Sequence, residues 1–195
     1  MSGTPGVYEG ASDVIAALML LLEFGMLRQA LIRDQVRLYA AQSALISVLA
    51  IVIAADRGLA DLYALAALSA VLKVVAVPYV LRRLLLRPGI ARGWSAGEET
   101  PGVAGSYTLG VASAVLACIA LAAFGFFTFG ALNVRGSAAP VMALALAGAM
   151  VFVAFGLMIV RRDVASQAVG FFSLENAISL AALVLAAGLP LILET

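Results

Sequence analysis

The 195-residue chain is 64% apolar and 12% charged, with a net charge of +1, no histidine and one cysteine, Cys118. Soluble domains run at roughly 45–50% apolar and about 25% charged, so this composition excludes a soluble globular protein and a disordered one alike. It leaves no histidine- or cysteine-based ligand set for haem, zinc or a metal cluster, no Ser-His or Cys-His catalytic pair, no intrachain disulfide and no bulk attraction to nucleic acid.

A membrane-spanning helix takes about 20 mostly apolar residues. Six stretches meet that requirement, at roughly 14–31, 36–55, 62–81, 107–129, 139–160 and 164–193, the last long enough to tilt or to bend near Pro190. Their continuous apolar runs lack the period-two alternation of an outer-membrane barrel. The first ten residues hold no Lys or Arg, so the first stretch reads as a retained helix and not as a signal peptide. Residues 82–106 contain Arg87-Pro88-Gly89, Trp94 and a Gly- and Pro-bearing run from Gly97 to Gly102; they read as a loop dividing the chain into two sets of three helices. The expected fold is therefore an all-α, polytopic bundle of six transmembrane helices forming one domain, 1–195.

Arginines mark alternate connections. Arg28, Arg33 and Arg37 flank the first, Arg82, Arg83, Arg87 and Arg92 the third, and Arg161 and Arg162 the fifth, against Arg57 alone in the second and Arg135 alone in the fourth. The bias places connections one, three and five, including loop 82–106, in the cytoplasm and both termini on the outer, periplasmic side. Tyr39, Tyr63, Tyr79 and Tyr107 fall near expected helix ends, where an aromatic belt lies.

An ionisable group at mid-bilayer costs at least about 2.5–3.5 kcal/mol on insertion scales, so each needs a reason. Glu175 follows Arg162 by 13 residues, which is about 20 Å along a helix and beyond reach of either interface. Asn176 adjoins it and Ser179 lies one turn on, on the same face. Such a carboxyl is a protonatable site in a proton path or, less favoured, a neutral hydrogen-bonding partner of another helix. Lys73 is nearly as deep, and Pro78 on the same helix cannot donate to the carbonyl of Val74. Lys73 reads equally as a proton-exchanging group or as the counter-ion of a carboxylate. Glu23 lies five residues before Arg28: either the cytoplasmic mouth of a proton path or, slightly favoured, a helix-end acid pairing with nearby basic side chains. Gln42, with Ser43 beside it, reads as an interhelical hydrogen-bonding residue. Cys118 reads as a small packing residue, and Phe124, Phe126, Phe127 and Phe129 as packing or lipid contacts.

The first and last helix pairs share a layout. Arg28…Gln42-Ser43-Ala44-Leu45 and Arg161…Glu175-Asn176-Ala177-Ile178 match at a shift of 133 residues. This suggests a parallel duplication and counts against the inverted repeats of many transporters.

The segment Arg161-Arg162-Asp163-Val164-Ala165-Ser166-Gln167-Ala168-Val169-Gly170-Phe171-Phe172-Ser173-Leu174-Glu175-Asn176-Ala177-Ile178-Ser179-Leu180 resembles the basic turn and Glu-bearing helix of NADH-quinone oxidoreductase subunit K and of the small C component of Mrp-type cation/proton antiporters. With the six-helix length, Lys73…Pro78 and the Glu-Asn pair, the chain most resembles hydrogenase-4 component E of formate hydrogenlyase-type membrane hydrogenases. The resemblance implies a small, non-catalytic membrane-arm subunit of a bacterial or archaeal inner membrane. It would pack against large antiporter-like subunits, and it would contribute Glu175 to a proton path. The family's redox centres lie in other subunits, so no cofactor is expected in this chain. The third helix offers Lys73 where subunit K carries its second Glu. A stand-alone small transporter and a purely structural assembly protein are the competing expectations.

Overall fold

The computed structural model describes residues 7–58, 60–85, 110–132 and 140–188, and these are helical almost throughout. The elements are α1 (Val7–Arg28), α2 (Ile32–Arg57), α3 (Ala60–Ala70), a π-helical segment (Val71–Ala76), α4 (Val77–Leu85), α5 (Val111–Gly130), α6 (Val141–Val160) and α7 (Val164–Gly188). Together α3, the π segment and α4 make one span, so the described residues include six helices long and apolar enough to cross a membrane. The chain is a multi-pass membrane protein. The third span runs on to Leu85, so Arg82 and Arg83 occupy a helical turn and not the start of a loop. The rest of loop 82–106 with Trp94, Tyr107, and the end of the last stretch with Pro190 lie outside the described residues.

Four helices close a bundle: α1 packs on α2 and α6, and α7 packs on α6 and α2. Like-directed helices are therefore paired across it, α1 with α6 and α2 with α7. The third span lies outside α2, and α5 lies outside α6. The fifth span, α6, is the centre; every residue from Ala143 to Met150 is buried. It accepts neighbours on all sides because small residues allow close backbone approach. A Cβ on Gly125 of α5 would press on the carbonyl oxygen of Gly148, and one on Gly156 would lie 2.8 Å from Cys118 Sγ.

The hairpin ends are fastened by polar side chains. Asp163 accepts a bond from the backbone N–H of Ser166 at 2.7 Å, which caps α7. Arg161, buried, donates from Nη2 to the carbonyls of Leu27 at 2.9 Å and Gln29 at 2.7 Å, across the end of α1. Its cation thus sits where the α1 carbonyls lack helical partners and the helix dipole is negative. Ser166 donates to Gln35 Oε1 at 2.9 Å, joining α7 to α2 at the same level.

Two apolar clusters fill the bundle. One holds Met19, Ile46, Leu49, Met150 and Leu180; the other, nearer the basic connections, holds Met26, Val36, Tyr39, Leu157 and Val169. Tyr39 belongs to this core, its ring 5.7 Å from that of Phe172, and so is no interfacial belt residue. It lies on the inward face of α2, in line with Gln35, Gln42 and Ser43. Tyr63 and Tyr79 are exposed. So are Phe124 and Phe127, while Phe126 and Phe129 pack partly against the core.

Candidate functional site

Along the contact of α2 with α7, from the hairpin ends inward, lies a polar layer. Its α2 residues follow helical spacing: Gln35, Gln42, Ser43 and Ser47 share one buried face. On α7, Ser166, Ser173 and Asn176 do the same. The faces meet in parallel register, Gln35 opposite Ser166, Gln42 opposite Ser173 and Ser43 opposite Asn176. Two of these pairs are 131 residues apart and the third 133, so the hairpins pack within two residues of the sequence shift of 133.

Lys73 reaches this layer because its helix changes pitch. The Val77 N–H bonds to the Leu72 carbonyl, five residues back, and Pro78 has no N–H to offer the next carbonyl. A π turn results, of a kind frequent at functional sites. Val71, Leu72 and Val75 face outward around Lys73, yet the Lys73 side chain is only 14% exposed. Its Nζ lies 3.0 Å from Glu175 Oε1, 3.2 Å from Ser179 Oγ and 3.4 Å from Asn176 Oδ1.

From there the bonds run inward. Asn176 Nδ2 donates to Ser43 Oγ at 2.9 Å and to Gln42 Oε1 at 3.2 Å. Ser173 Oγ lies 3.1 Å from the same Gln42 oxygen and 2.9 Å from Glu23 Oε1. Gln42 Nε2 donates to the Met19 carbonyl at 3.4 Å. One connected array thus links Lys73 and Glu175 at the edge of the bundle to Glu23 inside it, through four spans. Glu23 is fully buried, and its Oε2 meets no hydrogen-bond partner among the described residues.

Glu175, Lys73, Glu23, Asn176, Ser179, Gln42 and Ser43 therefore belong to one array, with Glu175 and Glu23 at its ends and Lys73, Asn176, Gln42 and Ser173 between them. Their settings differ from the sequence expectations in two ways. Glu23 bonds Ser173, and no ion pair to it is seen among the described residues, because its face of α1 points to the bundle interior between Met19 and Met26. Glu175 is not enclosed: its side chain is 49% exposed, on an α7 stripe shared with the exposed Phe171 and Ile178. Lys73 has its carboxylate partner within this chain. Ser173, Gln35 and Ser166 were not singled out from the sequence; Ser173 is one turn before Asn176 and Gln35 two turns before Gln42, and that helical spacing is the signal that finds them, while Ser166 lies two turns before Ser173.

An all-helical membrane bundle with a charged pair and a buried carboxyl joined by hydrogen bonds is the class of protein defined here. No protein-family model matches the chain, and neither the curated proteins nor the solved structures contain a match to it.

Proposed function

We propose that this chain is a small proton-translocating subunit of a larger membrane complex, of the kind that the resemblance to hydrogenase-4 component E, subunit K and the antiporter component implies. It has no active site of its own. The array from Glu175 and Lys73 to Glu23 carries the reading. Its carboxyl, ammonium and hydroxyl groups exchange protons, while the amides of Gln42 and Asn176 hold them in place. Ser173 has one hydroxyl hydrogen and two acceptor oxygens in reach, Gln42 Oε1 and Glu23 Oε1. A proton on Glu23 completes the array, since Glu23 then donates to Ser173 and Ser173 to Gln42. Glu23 is thus the group on which a proton rests, and Lys73 with Glu175 forms the charged end.

The exposure of Glu175 supports a multisubunit setting over a stand-alone transporter. A carboxylate on an apolar helix face at this depth is costly against lipid, so this face is one that a neighbouring membrane protein covers. The excess of arginine at one end supports a cytoplasmic placement of that end, in a bacterial or archaeal inner membrane, with both termini outside.

Glu175→Gln in the intact complex tests the reading. The variant keeps the shape and most hydrogen bonds but does not titrate. Assembly should persist while proton translocation into vesicles, followed with a pH-sensitive dye, falls by an order of magnitude or more, as loss of an essential proton-transfer group costs about 10²–10⁴-fold. Normal translocation in an assembled Glu175→Gln complex would leave Glu175 a structural residue.

A further inference from the structure

Above the charged pair, on the side away from the basic connections, the third span packs on α2 and leaves a gap toward α7. The gap is a cavity of about 250 Å³ with Lys73, Ser179, Ser69 and Ser47 among its walls. It extends along α2 to Ala50 and up the third span to Leu65, eight residues from Lys73 and so about 12 Å nearer the outer end. Leu65 lies only two residues beyond the exposed Tyr63. The cavity therefore runs from the middle of the bundle to within a turn or two of the membrane edge.

Its walls decide its content. An engineered cavity of about 150 Å³ lined only by aliphatic groups stays dry, whereas water enters where it finds two to four polar partners and about 30 Å³ for each molecule. Here the hydroxyls of Ser47, Ser69 and Ser179 line a space with room for several waters, beside the apolar Ile46, Ala50, Leu65, Ala66 and Leu183, while the Lys73 ammonium at its foot is shared among Glu175, Ser179 and Asn176. The Ser47 and Ser179 hydroxyl hydrogens are spent on the carbonyls of Ser43 at 2.9 Å and Glu175 at 2.8 Å. Their remaining capacity is as acceptors, and water donates to them. Around Glu23 the same bundle is packed between Met19 and Met26.

We propose that this cavity is a water-filled vestibule connecting Lys73 with the outer face, so that the charged pair exchanges protons with that side while Glu23 holds the inner, closed end. The inference rests on the proton-path reading for the use made of the access, but the access itself is measured separately.

Single cysteines at Ser69 and Ser47, in a Cys118→Ser background, test it in native membranes of known sidedness. A charged, membrane-impermeant methanethiosulfonate added from outside is attacked only by the thiolate, which forms in water and not in hydrocarbon, giving a mixed disulfide with loss of methanesulfinate. Ser69→Cys and Ser47→Cys should therefore react at least about tenfold faster than Leu68→Cys. Leu68 adjoins Ser69 at the same depth on the exposed face of the span. Leu132→Cys, exposed at the outer end of α5, reports that reagent reaches the outer surface. Modification at Leu132 with none at Ser69 and Ser47 overturns the vestibule. So does reaction only with an apolar maleimide, which would make the cavity a seat for a lipid chain, and so does modification only from the basic side. None of these outcomes depends on whether Glu175→Gln still translocates protons, so the two readings fail separately.

Discussion

Lys73 and Glu175 are best judged as a pair. Lys73 holds three acceptors around one ammonium, and removing either member alone leaves an unmet charge beside apolar side chains. An unmet polar group costs about 1–3 kcal/mol, and a charged one no less. Lys73→Met should therefore lower the thermal stability of the solubilised protein by about that much, and the double variant Lys73→Met/Glu175→Gln should recover most of the loss. Translocation should stay lost in both. A double variant no more stable than Lys73→Met would show that the pair is not coupled. Ser173 is the joint between Glu23 and Gln42. Ser173→Ala takes from Glu23 its hydrogen-bond partner and leaves Gln42 Oε1 with Asn176 Nδ2 alone, at about 1–3 kcal/mol, whereas Ser173→Thr keeps the hydroxyl. Stability and translocation should fall in the first and return in the second. Equal behaviour of the two variants would exclude a role for the hydroxyl.

Helix contacts divide into two kinds. Where α5 meets α6, backbones touch and size is what matters. On Gly125 a Cβ meets the Gly148 backbone and lies 2.7 Å from Phe152 Cδ2; the backbone does not give way without moving a helix. Gly125→Ala should destabilise the fold by about 1–3 kcal/mol by overpacking, despite a gain in helix propensity of about 1 kcal/mol. A Cβ on Gly130 meets only Ala145 Cβ, at 3.4 Å, so Gly130→Ala should be nearly neutral. Melting of the two variants in mild detergent compares them directly. Where α2 meets α7, the contacts are hydrogen bonds and register is what matters. Gln35, Gln42 and Ser43 each find a partner 131 to 133 residues on, so a one-residue slip would misalign every pair. Arg161 holds that register at the hairpin ends through the carbonyls of Leu27 and Gln29.

At the scale of the whole molecule, four helices make the bundle while the third span and α5 stay largely outward-facing. The faces of Leu65, Leu68, Leu72 and Val75 and of Leu116, Ile119 and Phe127 are exposed, and apolar residues there suit lipid or neighbouring helices equally. The proposed orientation rests on the arginine bias. In a Cys118→Ser background, Ala30→Cys, exposed between α1 and α2, should react with an impermeant thiol reagent only from the cytoplasmic side, and Leu132→Cys only from outside. The reverse pattern would invert the assignment of inner and outer faces.

Much of this architecture was legible because lipid imposes a simple rule: backbone polar groups bond within a helix, so an apolar run of about 20 residues reads directly as a span. The deep positions of Glu175 and Lys73 followed from counting residues along those helices. What counting does not supply is rotation about each helix axis. Tyr39 lies near enough to a helix end to pass for a belt residue, yet its side of α2 faces the core. Glu23 is near arginines in sequence, yet its side of α1 faces Ser173. Glu175 is deep along its helix but half exposed around it, and Lys73 meets it from within a π turn before Pro78. Depth is a one-dimensional property that composition and spacing determine by themselves. Which groups touch depends on how several helices turn toward one another, and that was decided by the packing of Gly125, Gly148 and Gly156 and by the paired faces of α2 and α7.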